Sequence, residues 1–165
     1  MIVAGQDLQV VVFGLAEEKF ALPVHTVREI LDHRSAFRMP DAPNWLLGLT
    51  DVRGQSVPMI DLRARLGMPV AEATLATRVL VVEVPVAGTA PLALGLVVDR
   101  VLDVSSFGAA AVEPSPDLGG RWRSEHVEAI LRRDDGFVAL LDIARIFARD
   151  HERLQGDDRH GALAA

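Results

Sequence analysis

Residues able to do acid–base, nucleophilic or metal chemistry are few in this 165-residue sequence, and their spacing fits none of the usual sites. The histidines are His25, His33, His126, His151 and His160, and no pair has ligand spacing such as H-E-x-x-H. His126-Val-Glu128 resembles half of a deaminase zinc motif, but the chain has no cysteine to complete the site. That absence also removes disulfides, iron–sulfur ligation and a thiolate nucleophile. A serine elbow needs G-x-S-x-G, whereas Gly54-Gln-Ser-Val-Pro58 lacks the second glycine, so Ser56 reads as a polar strand residue. Two carboxylates flanking a scissile bond could hydrolyse a glycoside. Asp99 with Asp103, however, reads as strand and turn without pocket aromatics, and Asp134-Asp135 reads as turn punctuation. Lys19 is the single lysine, it falls in a predicted hairpin, and no glycine-rich phosphate loop occurs. These residues predict no enzyme, no metal and no cofactor.

Composition narrows the partners. Seventeen basic and 23 acidic residues give a net charge of −6, which argues against nucleic acid, since phosphate binding needs a basic footprint. Six Phe, two Trp and no Tyr leave few rings for stacking on bases. No basic run points to an anionic membrane surface. The longest apolar run, 91–98, is far shorter than the ~20 residues that span a bilayer. The opening MIVAGQDL carries no positive charge and no long apolar stretch, so a cytoplasmic protein is expected. An apolar chain without a convergent polar site implies a module whose function is contact.

The elements that would present such a surface are strands. Apolar residues recur with a period of two, in short runs broken by Gly, Pro and Asp. Strands are expected at 10–15, 19–23, 27–31, 46–52 and 56–60, and again at 78–84, 92–98, 100–104, 127–132 and 137–141. Glu17-Glu18 and Arg53-Gly54 fall where tight hairpin turns belong. Segments 61–66 and 142–147 each open with an Asp that can cap a short helix. The stretch 109–120, with two prolines and two terminal glycines, reads as a loop.

An internal repeat underlies this order. Shifting by 81 residues lays Val57-Pro-Met-Ile-Asp-Leu62 on Val138-Ala-Leu-Leu-Asp-Ile143, and a shift of about 70 lays Glu29-Ile-Leu-Asp32 on Arg100-Val-Leu-Asp103 and residues 10–15 on the 79–84 region. The reading is a single domain of two small β-lobes, at roughly 8–66 and 78–147, with a polar tail at 150–165. Each lobe is too small to be comfortable alone, so the two are expected to share apolar surface.

Several segments resemble the CheW-like adaptor family. Gly48-Leu-Thr-Asp-Val-Arg-Gly-Gln-Ser-Val-Pro-Met-Ile-Asp-Leu62 is similar to its hairpin, Val27-Arg-Glu-Ile30 to its V-x-E-I element, and Arg38-Met-Pro-Asp-Ala-Pro43 to its approach to the hairpin. Leu94-Gly-Leu-Val-Val-Asp99 and Val101-Leu-Asp-Val104 match two later strands. The resemblance runs from Val10 to about Phe147. It implies a mainly β fold of two five-stranded SH3-like barrels, and a non-catalytic adaptor coupling chemoreceptors to the histidine kinase CheA. It further implies that one lobe docks the regulatory domain of the kinase and that an inter-lobe groove takes the receptor's helical-hairpin signalling tip. A related pathway for surface motility or second-messenger control is the alternative.

A groove between barrels suits an amphipathic helix. Val27 and Ile30, with Val79, Leu96 and Val98, are the candidate lining, although such residues also build cores. On the family reading, Arg53 at its hairpin tip belongs to the receptor-binding surface, held by Glu29, against the plainer alternative of a solvated arginine. The repeat aligns Arg53 with Asp134, so the lobes differ in charge where they should coincide. The chain departs from the family pattern at Asp51, Arg78, Arg100, Ala129 and Leu131, and the added charges bear on partner choice.

Overall fold

The computed structural model describes residues 7–115, 126–150 and 154. Its strands are β1 (Leu8–Leu15), β2 (Glu18–Pro23), β3 (Val27–Asp32), β4 (Leu46–Val52), β5 (Gln55–Asp61), β6 (Arg78–Val84), β7 (Leu92–Val98), β8 (Arg100–Phe107), β9 (Val112–Pro114), β10 (Val127–Arg133) and β11 (Gly136–Leu141). Helix α1 (Leu62–Arg65) follows β5, and α2 (Ile143–Ile146) follows β11. The expected capping is present. Asp61 accepts a hydrogen bond from the Ala64 amide at 3.3 Å, and Asp142 accepts one from the Arg145 amide at 3.1 Å.

Two sheets form, ordered β8-β1-β2-β11-β10-β9 and β3-β6-β7-β5-β4. They correct the division of the chain at 8–66 and 78–147, because neither sheet is a continuous stretch. The β1–β2 hairpin joins the sheet of β8–β11, and the β6–β7 hairpin joins that of β3–β5. The exchange is made through parallel pairs, Ala21 beside Leu140 and Gly95 beside Met59, which no local pattern encodes. The larger sheet also has six strands rather than five, since Val112–Pro114, expected as loop, pairs with Ala129 to Leu131. Residues 116–120 of that expected loop, and all of the tail except Asp150 and Leu154, lie outside the described residues.

The repeat is exact in register. Leu46 and Gln55 open β4 and β5, and 81 residues later Val127 and Gly136 open β10 and β11. Both hairpins carry a bulge at the same place, between Leu46 and Gly48 and between Val127 and Ala129. The bridge of Phe37 to Leu49 is the remnant counterpart of β9. One hairpin turn differs from expectation: β1 and β2 are joined by Ala16-Glu17, and Glu18 already belongs to β2. Ala16 takes φ 53°, a left-handed conformation held by its amide donating to Asp99 at 2.7 Å.

Alternation sends the two faces of each sheet to different cores. Val10, Val12, Leu131, Val138 and Leu140 fill one lobe, while Val57, Met59, Val79 and Val81 fill the other. The largest cluster lies between them, with Phe13, Leu15, Phe20 and Leu22 from one sheet meeting Ile60, Leu80, Val82, Leu94, Leu96 and Val98 from the other. This shared layer holds more buried apolar residues than either lobe interior, so the expected sharing of surface is what makes the lobes one unit. Arg65 of α1 fastens the seam. Its guanidinium lies over the rings of Trp45 and Phe147, at 5.5 and 5.4 Å, and donates to the Ile146 carbonyl of α2 and to Asp150.

Candidate functional site

Two crossovers carry the chain between sheets, and each delivers an edge strand. A 3-10 turn, Val24–Thr26, leads from β2 into β3, and Asp99 alone separates β7 from β8. The Val24–Thr26 turn lies against both β1 and β6, so these strands face each other near the crossovers, with edge strands β8 and β3 outside them. Register places Ile30 opposite Leu80, which stands opposite Leu96, and Val104 opposite Val11, which stands opposite Leu22. Paired residues share a face. Ile30 and Val104 therefore lie on the inter-lobe face, in the outer row where the apolar layer opens to solvent, and they are 43% and 65% exposed. They are also counterparts in the repeat. Val81 lies opposite Glu29 and Gly95, as Val12 lies opposite Asp103 and Ala21, and both edge strands bulge one residue earlier, at Arg28 and Leu102.

The predicted residues separate into three groups. Val27 and Ile30 lie on this inter-lobe face, with Val27 half-buried against the shared core. Leu96 and Val98 point into that core and Val79 into the interior of its lobe, and all three are buried, which corrects their assignment to a groove surface. Alternation in a strand buried on both faces conceals such residues equally well on either side. Glu29 and Arg53 form the third group. Glu29 is on the opposite face of β3 from Ile30, and its carboxylate accepts from Arg53 Nε at 3.2 Å and Nη2 at 3.4 Å. Val104 and Leu102 were missed because laying Glu29-Ile-Leu-Asp32 on Arg100-Val-Leu-Asp103 set Ile30 against Val101, whereas the pairing register corrects this and sets Ile30 against Val104.

The Arg53 turn is strained. Arg53 has φ 54° and Gly54 φ 82°, the pair of positive values that a tight hairpin of this hand needs, and only glycine and short polar residues adopt them readily. The arginine side chain remains 78% exposed despite its ion pair. A left-handed arginine costs about 1–2 kcal/mol, more than an exposed pair of this sort returns.

Asp99 is the most heavily engaged acid. It accepts from Arg63 Nε at 2.9 Å, from Arg63 Nη2, and from the Ala16 amide, so it ties α1, the β1–β2 turn and the β7–β8 crossover together. Burial pushes its carboxyl up, but the hydrogen bonds of Arg63 and Ala16 and the charges of Arg63 and Arg100 outweigh burial and hold it below the ordinary Asp range. At the other lobe, the hydroxyl of Ser105, with Arg133, holds Asp103 low against a smaller burial effect. Asp103 is thus an anchored structural acid, paired with Arg133 across 3.1 Å. Asp134-Asp135 forms a turn as expected, and Ser56 is an exposed strand residue. Among the described residues no cluster of His, Asp and Glu could hold a metal ion, and no helix is long and apolar enough to cross a membrane.

Two β-lobes sharing one core, with anchored charges and exposed apolar residues on the edge strands that flank it, define a contact module of the scaffold class. Residues 9–151 match the CheW-like domain family, and the chain belongs to that family. It is 29% identical over 142 residues to a probable chemotaxis protein CheW of Rhizobium etli, covering 86% of this chain and 88% of that one. It is 26% identical over 143 residues to protein FrzA of Myxococcus xanthus, covering 86% of each. The crystal structure of the scaffolding protein TtCheW from Thermoanaerobacter tengcongensis superposes with a TM-score of 0.76 at 29% identity, over 86% of this chain and 93% of that one. Members of this family are adaptors.

Proposed function

We propose that the protein is a non-catalytic cytoplasmic adaptor that couples chemoreceptors to the histidine kinase CheA. The observation that carries this reading is the pair Ile30 and Val104, exposed at equivalent places on the two edge strands that flank the shared apolar layer. Such an open apolar margin suits one amphipathic helical element, here the receptor's signalling tip, set against Val27 and Ile30 of one lobe and Val104 of the other. Arg53, braced by Glu29, presents a cation at the margin of the same lobe. The regulatory domain of the kinase docks on one lobe. Each interface buries on the order of 1,200 Å² or less, and an array multiplies contacts that are weak singly.

The test mixes purified protein with the kinase regulatory domain and with receptor signalling-tip fragments from the same cell, measuring binding to each. Binding to both is expected, without catalytic turnover by the adaptor alone, and binding to neither removes the reading. The likeness to FrzA is compatible with a second reading, an adaptor of a non-flagellar pathway, and the charges at Asp51, Arg78 and Arg100 bear on the choice of partner. Preference for the kinase of that pathway over the flagellar one distinguishes the two.

A further inference from the structure

The turn before β6 displays a leucine in a way that unanchored loops do not. Leu75 is 99% exposed, yet the backbone around it is fixed. The Thr74 amide donates to Thr77 Oγ1 at 2.8 Å, the Ala76 amide to Thr74 Oγ1 at 3.1 Å, and the Thr77 amide to the Thr74 carbonyl at 3.2 Å. Thr77 is buried beneath the turn. Arg78 closes it from the other side, its Nη1 donating to the Leu75 carbonyl at 2.8 Å and to the Thr77 carbonyl at 2.9 Å. Side-chain hydroxyls that satisfy a turn's amides remove the freedom an exposed tip usually keeps, so Leu75 is held out at little further entropic cost on binding.

This turn adjoins the row of Ile30. Arg78 pairs with Asp32 of β3 and with Val98 of β7, on the same face as Ile30, Leu80 and Leu96 and two residues further along. Most of what the guanidinium touches is neutral carbonyl. Its carboxylate neighbour, Asp32, is 3.7 Å away and 94% exposed, so the positive charge is only weakly answered. An apolar knob and an under-neutralised cation therefore stand together at the end of the inter-lobe face that carries Ile30.

Building on the adaptor reading, we infer that Leu75 and Arg78 form a specificity element that selects a helix bearing an apolar seam and, three or four residues along the same face, a carboxylate. The carbonyl of Leu75 is hydrogen-bonded to Arg78, so anchor and charge are close neighbours, and side chains at i and i+3 or i+4 on a helix are about 5–6 Å apart. The apolar anchor supplies affinity, and the charge rejects helices that are neutral or basic at that place.

The test titrates receptor signalling-tip fragments from the same cell against the wild-type protein and the variants Ile30→Asp, Leu75→Asp, Arg78→Gln and Arg78→Lys. Leu75→Asp and Arg78→Gln are each expected to weaken binding at least about tenfold, with unchanged binding to the kinase regulatory domain. Arg78→Gln should also flatten the salt dependence. Arg78→Lys keeps the charge and restores salt-dependent binding; a loss equal to that of Arg78→Gln overturns the electrostatic assignment. Full affinity in Leu75→Asp and Arg78→Gln, with loss in Ile30→Asp, overturns this inference and leaves the adaptor reading standing. Failure of the wild-type protein to bind any tip removes both.

Discussion

The two lobes solve one problem in opposite ways. In each, an acid on the edge strand meets an arginine from the β-hairpin of the same lobe: Glu29 with Arg53, and its counterpart Asp103 with Arg133. Arg133 is 26% exposed and joined to Asp135, while Asp103 also accepts from Ser105, so that pair closes the end of its lobe. Arg53 stands one residue further along, on the turn itself, in a left-handed conformation and 78% exposed. Neighbouring positions of one fold thus carry a structural clasp in one lobe, Arg133 where the repeat has Val52, and a displayed cation in the other, Arg53 where it has Asp134. Backbone strain kept without a packing return is a mark of a site used by something else.

Several substitutions sharpen or break this contrast, and the largest effect is expected away from the arginines. Gly48 and Ala129 are counterparts at the two bulges, yet Gly48 has φ 139° and a Cβ there would lie 1.9 Å from the Phe37 carbonyl oxygen. Phe37 exchanges two backbone hydrogen bonds with Leu49, so it cannot withdraw cheaply. Gly48→Ala should cost about 3 kcal/mol or more in urea unfolding, and Ala129→Gly about 1 kcal/mol. Equal costs would mean that the lobes tolerate the bulge alike.

Next comes Asp99, the acid of one crossover, which has no acidic counterpart in the Val24–Thr26 crossover. Asp99→Asn should cost about 1–3 kcal/mol at neutral pH. Because the folded carboxyl titrates below its ordinary value of 3.8, its contribution is complete above that value and is lost as the pH falls further. Unfolding between pH 5 and pH 2 should accordingly be steeper in the wild-type protein than in Asp99→Asn, and parallel curves would remove Asp99 as the pin.

The direct comparison pairs Arg53→Glu with Arg133→Glu. The first should weaken receptor-tip binding by about tenfold with little change in stability, and the second should lower stability by about 1–2 kcal/mol. An unchanged affinity in Arg53→Glu returns that residue to a solvated charge. Smallest is Arg53→Asn, which relieves the turn and should raise stability by up to about 1 kcal/mol while losing affinity. A loss of stability instead would show that the Glu29 pair outweighs the strain.

Much of this was legible in residue order because it is local. Period-two runs mark strands whose faces meet different surroundings, Asp61 and Asp142 cap helices through amides three residues on, and Arg53-Gly54 marks a tight turn. The 81-residue repeat and the Glu29–Arg53 pair were readable too, the pair by resemblance. Other features depend on contacts distant in the chain. Val79, Leu96 and Val98 have the same residue types as Ile30 and Val104, and only the position of a strand within its sheet decides which are covered. Short β9 has too few residues to show a period. The sequence by itself determined the strands, the caps, the strained turn and the kinship of the two halves, since these follow from propensity and pattern over a few residues. Tertiary structure alone decided that the halves exchange their β1–β2 and β6–β7 hairpins, that the largest core lies between the lobes, and which edge residues stay open, because parallel pairing across the chain is chosen by total burial rather than by any local signal.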